Sequence, residues 1–268
     1  MTRLFVSTLL AALLAVGSAT VSAQTRRESK PRTPPPQTGA WQPTMLIDCP
    51  TAGTLKRGSF IVGVRAYPNG GVLASTDIGM SNRLMIGVSY GAEGIVSERK
   101  PVWNPRVEFD LRLSLIDEGL VFPAITTGFS SQGYGGYLDD TKRYAFKSKG
   151  FFVVGSKNYP LYNWQVGLHG GLNYSTEQED DDTNLDFFVG VDTKLNRDVG
   201  LVFEYDFATN DNRSSTDVGR GHGYLNVALQ WLYSDNLVMD LILKNLVNNR
   251  KGVSDIWREL RVTYVQHF

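Results

Sequence analysis

Residues 106–116 read Arg-Val-Glu-Phe-Asp-Leu-Arg-Leu-Ser-Leu-Ile. Val107, Phe109, Leu111, Leu113 and Leu115 fall on one side of an extended chain, and Arg106, Glu108, Asp110, Arg112 and Ser114 on the other, because successive β side chains point to opposite faces. The run is about ten residues long, the length of a tilted strand that crosses a bilayer. A soluble sandwich alternates too, its apolar side facing a core and its polar side facing water. One strand does not separate the two arrangements, but the whole set does.

About twelve such segments follow one another from Ser59, an even number within the range of membrane barrels. They run over 59–67, 72–80, 83–91, 106–116, 120–131, 145–157, 163–174, 184–194, 199–208, 223–233, 237–247 and 256–268. Segments 120–131 and 145–157 alternate poorly. The connections are of two kinds. Ser81-Asn82, Asp117-Glu118-Gly119, Asn196-Arg197-Asp198 and Ser234-Asp235-Asn236 are tight turns, rich in residues that tolerate positive φ. Ala92–Pro105, Gln132–Tyr144, Ser175–Thr183, Thr209–His222 and Asn248–Asp255 are long. Long and short alternate, as they do when one end of a barrel carries turns and the other carries loops; the tight Pro68-Asn69-Gly70-Gly71 is the exception. Tyr and Trp cluster near the expected strand ends (Tyr90, Trp103, Tyr159, Trp164, Tyr233 and Trp257 among them), the depth of the headgroups in a membrane barrel. The expected fold is all-β: a single antiparallel up-and-down transmembrane β-barrel over 50–268.

In that phase Arg106, Glu108, Asp110, Arg112, Asp186, Asp192, Lys194, Glu204, Asp206, Asp240, Lys244, Glu259 and Arg261 face the lumen. Both signs are present. Such a lumen either guides a solute or pairs its charges and closes.

The N-terminus sets the compartment. A short positive start (Arg3), the apolar run from Leu4 to Val16 and the small residues Val21-Ser22-Ala23 read as a signal peptide over 1–23, cleaved before Gln24. Residues 24–49 form a flexible segment in which Arg26, Arg27, Lys30 and Arg32 run into Pro31 and Pro34-Pro35-Pro36, a composition that excludes a packed core. Cys49 is the only cysteine, so the chain has no internal disulfide; its distance from the apolar run argues against lipidation.

The composition agrees. Lys+Arg and Asp+Glu number 27 each, a balance that argues against nucleic acid as a partner. The mean hydropathy of −0.19 leaves no room for a bundle of apolar helices. The last strand ends in Phe268, with Leu260, Val262 and Tyr264 on one face. This is similar to the C-terminal signal read by barrel assembly machinery, with Gln266 where an apolar residue is usual. The expected location is the outer membrane of a Gram-negative-type bacterium, reached through the periplasm, with outer-membrane lipid as partner.

No constellation points to catalysis, a cofactor or a metal. His169 is expected inward, His222 in a loop and His267 near the end. The acidic run Glu177, Glu179, Asp180, Asp181 and Asp182 reads as a solvated external loop.

Several short motifs carry a resemblance. Pro50-Thr51-Ala52-Gly53 with Gly58-Ser59, Pro123-Ala124-Ile125 with Gly128, Gly133, Gly135 and Gly136, Ser156-Lys157 ahead of Gly167, Gly170, Gly171 and Leu172, and Glu204-Tyr205-Asp206 resemble the YjbH-like outer-membrane proteins over about residues 50–210. That resemblance implies an envelope role in exopolysaccharide export or assembly, with export partners. The charges alone leave two other readings open: a small diffusion channel, or a plugged structural or surface-binding barrel.

Overall fold

The computed structural model describes residues 43–161, 164–212, 218–251 and 256–266. The expected signal peptide, residues 24–42 of the basic segment, His267 and Phe268 lie outside the described residues.

Fifteen strands are defined in this part of the chain: β1 (Phe60–Tyr67), β2 (Gly71–Gly79), β3 (Leu84–Glu93), β4 (Val102–Trp103), β5 (Glu108–Ile116), β6 (Ala124–Ser130), β7 (Tyr134–Leu138), β8 (Arg143–Phe146), β9 (Gly150–Leu161), β10 (Trp164–Tyr174), β11 (Asp186–Lys194), β12 (Val199–Asp206), β13 (Tyr224–Leu232), β14 (Leu237–Lys244) and β15 (Trp257–Gln266). Twelve of them close into an antiparallel barrel. β1 pairs with both β2 and β15, so the first and last strands meet in a seam, with Val62 opposite Tyr264 and Arg65 opposite Arg261. β4 only extends the edge of β3, and β7–β8 is a separate hairpin.

The alternation has the physical cause the sequence suggested. Phe109, Leu111, Leu113 and Leu115 are exposed on the outer wall, as are Ile86, Val88, Phe187, Val189, Phe203 and Leu241. In water this band would far exceed the few hundred Å² of apolar patch that a soluble monomer tolerates. In lipid it needs no cover, and closure leaves no strand edge unpaired. The chain is a membrane-spanning β-barrel. The tight Pro68-Asn69-Gly70 turn fits the loop end because another loop folds over it: Gly94 N–H donates to Asn69 O (3.1 Å) and Val96 N–H to Gly70 O (3.0 Å). Asn69 and Gly70 both have positive φ (64° and 70°), as a two-residue hairpin turn requires.

Three expectations need correction. Segment 120–131 enters the wall only at Ala124; Leu120, Val121 and Phe122 stand in the turn before it. Segment 145–157 starts at Gly150 and runs on to Leu161, because residues 143–146 pair instead with 134–138. Residues 44–49, read as the end of a flexible tail, are almost wholly buried inside the barrel.

Candidate functional site: the sealed lumen

Residues 44–51 form a tight hairpin within the lumen. Leu46 N–H donates to Cys49 O (2.9 Å), Thr51 N–H donates to Thr44 O (3.0 Å), and Met45 bridges Pro50. The returning leg runs toward the short-turn end of the barrel. Ala52 lies against Thr126 and Ser156, and the carbonyls of Leu55 and Lys56 lie so close to Gly79 that a Cβ there would sit 2.0 Å from Lys56 O.

The hairpin supplies the apolar core that the wall lacks. Leu46 and Ile47 pack with Val202, Ala228 and Ile242. Cys49 and Ala52 pack with Ala124, Phe152, Val154 and Phe188. Burying a side chain such as Ile47 or Leu46 is worth about 1.5–3 kcal/mol.

Polar groups of the wall then take up the hairpin backbone. A single oxygen of Glu204, Oε2, accepts the N–H groups of Ile47 (2.9 Å), Asp48 (2.8 Å) and Cys49 (2.7 Å), and its other oxygen accepts from Asn226 Nδ2 (2.8 Å). Arg261 donates to Leu46 O (2.7 Å) and Ile47 O (3.2 Å) while pairing with Asp240 (2.7 Å). Arg112 donates to Thr44 O and pairs with Asp110 (2.8 Å). The one charged side chain of the hairpin, Asp48, meets Arg65 (2.7 Å) and Lys244 (2.5 Å), both of which also face Glu259. Burial pushes the Asp48 carboxyl upward, but Lys244 and Arg65 outweigh it and hold it at about 2. Burial, reinforced by Glu204, pushes the Cys49 thiol well above its ordinary range.

A relay on the opposite wall fixes the returning leg. Asp192 Oδ1 lies 2.6 Å from His169 Nε2, and His169 Nδ1 lies 2.8 Å from Ser156 Oγ, which accepts Ala52 N–H (2.8 Å). With Asp192 ionised, His169 donates to it and accepts from Ser156, a tautomer assigned from the hydrogen-bond network. Ser156 on β9 stands opposite His169 on β10, and Asp192 on β11 reaches His169 diagonally from its place opposite Gly167. Gly167 leaves the gap that Asp192 crosses, since a Cβ there would meet Asp192 Oδ1 at 2.2 Å. Serine, histidine and aspartate in this order can form a nucleophile. Here Ser156 is buried beneath Ala52, so the relay orients an acceptor for the hairpin.

A second hairpin, β7–β8, covers the lumen from the loop end. Arg143 is fully buried between Asp180 and Asp211 (2.8 Å each). Lys147 pairs with Asp180 (2.7 Å), and Lys149 pairs with Asp206 and faces Asp186 at 3.9 Å. Glu177 accepts the N–H groups of Tyr144 (2.8 Å) and Ser148 (2.6 Å). Burial raises the Glu177 carboxyl against the pull of those donors and lowers the Lys147 ammonium despite Asp180. The acidic run is therefore only partly solvated: Glu179 and Asp181 are exposed, whereas Glu177, Asp180 and Asp182 are buried, Asp180 as counter-ion of Arg143 and Lys147 and the other two as acceptors of backbone N–H groups. Tyr134 joins cap to hairpin, its ring beneath Arg65 at 4.3 Å. The cavity between Arg65, Tyr67, Tyr134 and Glu259 has a volume of about 10 Å³, room for about one water.

The residues assigned to the lumen from sequence thus have several fates. Glu204, Asp240, Lys244, Glu259, Arg261, Asp110 and Arg112 surround the hairpin, and Asp192 belongs to the relay. Asp206 and Asp186 meet the cap through Lys149. Glu108 is buried at the rim, where it accepts from Tyr144 Oη (3.1 Å) and pairs with half-exposed Arg106 (3.1 Å). Lys194 lies near the short-turn end of β11, partly exposed. Leu260, Val262 and Tyr264 occupy alternate positions on β15. The sequence reading missed Arg65, Asp48, Ser156, Arg143, Lys147 and Lys149. Of these, Arg65 had a signal, since it stands two residues from Gly63 and from Tyr67 on the inward face of β1. Among the described residues no group of three or more His, Cys, Asp or Glu side chains could hold a metal ion.

No family model and no curated protein matches the chain. Among solved structures it is similar to the KdgM porin, with 11% identity and a TM-score of 0.45 over 78% of this chain and 99% of that one. It is also similar to an outer-membrane channel from Pseudomonas putida F1, with 12% identity and a TM-score of 0.40 over 80% of this chain and 97% of that one. The NanC porin is similar at 8% identity and a TM-score of 0.41, over 78% and 99%.

Proposed function

We propose that the protein is a non-enzymatic outer-membrane channel barrel, held shut by its own N-terminal hairpin and conducting only when that hairpin leaves the lumen. The observation that carries this reading is the contact of one Glu204 oxygen with three consecutive N–H groups of residues 47–49. The seal is made of non-covalent contacts to a segment that is enclosed by the wall but is not one of its strands, and such contacts can be broken without unfolding the wall. The chain reaches the outer membrane through the periplasm, and the assembly machinery reads its last strand through Leu260, Val262, Tyr264 and Phe268.

Glu204→Ala tests the seal. It leaves three buried N–H groups without an acceptor, each costing about 1–3 kcal/mol, and together they shift the closed population at least a hundredfold. In planar bilayers the wild-type protein is expected to stay nearly silent and the variant to show steady conductance. Steady conductance of both overturns the seal, and silence of both overturns the channel reading.

The cap favours a second reading, a permanently plugged structural barrel, because β7–β8 closes the lumen again above the hairpin. A silent Glu204→Ala barrel whose Cys49 nevertheless becomes reactive would select it. For the exopolysaccharide role implied by the family resemblance, the sealed lumen offers no path for a glycan chain. Unchanged polysaccharide output from a deletion strain would remove that role.

A further inference from the structure

The outer wall has one feature that sealing a lumen does not explain. Three other short turns expose mainly polar residues, Ser81-Asn82-Arg83, Asn196-Arg197-Asp198 and Ser234-Asp235-Asn236; residues 162–163 of the β9–β10 turn lie outside the described residues. The β5–β6 turn instead exposes Leu120 (101%), Val121 (80%) and Phe122 (71%) in succession.

Its position follows from two observations. At the end of β5 the register slips between Ser114 and Ile116, so Leu115 and Ile116 both face outward and the chain leaves the wall on its outer side. Lys157 then fixes the turn there. It alternates with Phe151 and Val153 on the outward face of β9, and its ammonium donates to the carbonyls of Gly119 and Leu120 (3.2 Å for the latter). Glu118 pairs with Lys157 (3.5 Å) and accepts from the backbone N–H (2.8 Å) and side-chain Nδ2 (2.7 Å) of Asn158. Gly119 N–H closes the turn on Phe122 O (3.0 Å). The result is a braced loop lying against the lipid-facing wall. An ion pair and the free carbonyls of the turn are folded inward, while three apolar side chains point away.

We infer that the Leu120–Phe122 turn is a lipid wedge, buried at the boundary between headgroups and acyl chains in the leaflet at the short-turn end. Its surroundings commit it to lipid. Leu111, Leu113, Leu115 and Ile116 of β5 lead toward it, interrupted by the exposed Asp117, which pairs with Arg83 (3.6 Å), and Tyr159 and Trp164 are exposed at the foot of the nearby strands β9 and β10, where amphipathic rings mark the interface. A charged Lys157 on a lipid-facing strand costs least near the interface, and Glu118 with the two carbonyls takes up its charge and donors there. The wedge rests on the membrane reading of the barrel and deepens it.

The test places an environment-sensitive fluorophore on Phe122→Cys, Leu111→Cys or Asp235→Cys, each in a Cys49→Ala background, in phosphatidylethanolamine/phosphatidylglycerol vesicles. Residue 122 is expected to match residue 111, with blue-shifted emission, strong quenching by nitroxide-bearing lipids and little quenching by aqueous iodide. Residue 235 is expected to show the reverse. If 122 behaves like 235 while 111 is lipid-quenched, the wedge is wrong and the membrane barrel stands. If 111 is not lipid-quenched either, the membrane reading falls and takes the wedge with it. Shielding of 122 from both quenchers in isolated outer membranes would assign the turn to a protein partner and also overturn the proposal.

Discussion

The lumen is closed twice, and the two closures are built on opposite principles. The N-terminal hairpin is held through its backbone: Glu204 takes three of its N–H groups, Arg261 and Arg112 take its carbonyls, and Asp48 is its only charged side chain in an ion pair. The β7–β8 cap and its trailing residues are held mainly through side chains, with Arg143, Lys147 and Lys149 set in a ring of buried carboxylates. Recognition through the backbone places the specificity in the barrel wall and tolerates sequence change in the hairpin. Recognition through buried ion pairs places it in both partners, and losing either one strands a charge.

The largest expected effect that separates the two closures is Arg143→Ala. It leaves Asp211 buried without its cation and Asp180 with Lys147 alone, a loss of about 3–5 kcal/mol. Amide exchange over 131–149 should accelerate while Cys49 stays unreactive toward thiol reagents; simultaneous exposure of Cys49 would show that the closures act as one. Gly190→Ala acts on the other side. A Cβ there would lie 2.2 Å from Leu46 Cδ1 and 2.9 Å from Phe203 O, an overpacking that costs about 1–3 kcal/mol. Cys49 labelling should speed up about tenfold or more with the cap still protected, and unchanged labelling would mean that Leu46 is not a seat of the hairpin.

The smallest effect is that of acid. The Asp48 carboxyl lies at about 2 against an ordinary 3.8, so its contribution is complete above 3.8 and fades as the pH falls toward about 2. Single-channel recordings should show opening events beginning in that window. An Asp48→Asn protein, already without the charge, should lack this pH dependence; the same acid onset in both proteins would assign it to other carboxylates.

The same contrast explains what could be read from the sequence. Residues 106–116 declared a strand with two unlike faces because lipid and lumen impose a period of two on side chains, and the long and short connections followed from closing such strands into a barrel. The hairpin left almost no trace, since the groups recognised at 46–49 are amides and carbonyls that every sequence carries. Proline and charge over residues 24–36 carried the expectation of a flexible segment, and that stretch lies outside the described residues; extending the segment to 49 failed because Leu46 and Ile47 bury apolar surface against Val202, Ala228 and Ile242 of the wall. On β1 the signal at Arg65 was weak for a related reason: Ile61, on the same inward face, is apolar and buried, which blurs the alternation. The cap's charges were visible individually as Arg143, Lys147 and the acidic run, but their pairing spans 33–68 residues and depends on the folded wall.

The seam between β1 and β15 is bridged by the hairpin. Arg65 and Arg261 stand directly opposite each other across it, a like-charge pair that opposes closure. Both guanidinium groups donate to the single carbonyl of Ile47 (3.2 Å each), with Asp48, Glu259 and Asp240 supplying the counter-charge. With the hairpin out of its seat, the first and last strands lose Ile47 O and Asp48 from between these two cations, so seating the hairpin also braces the seam of the wall.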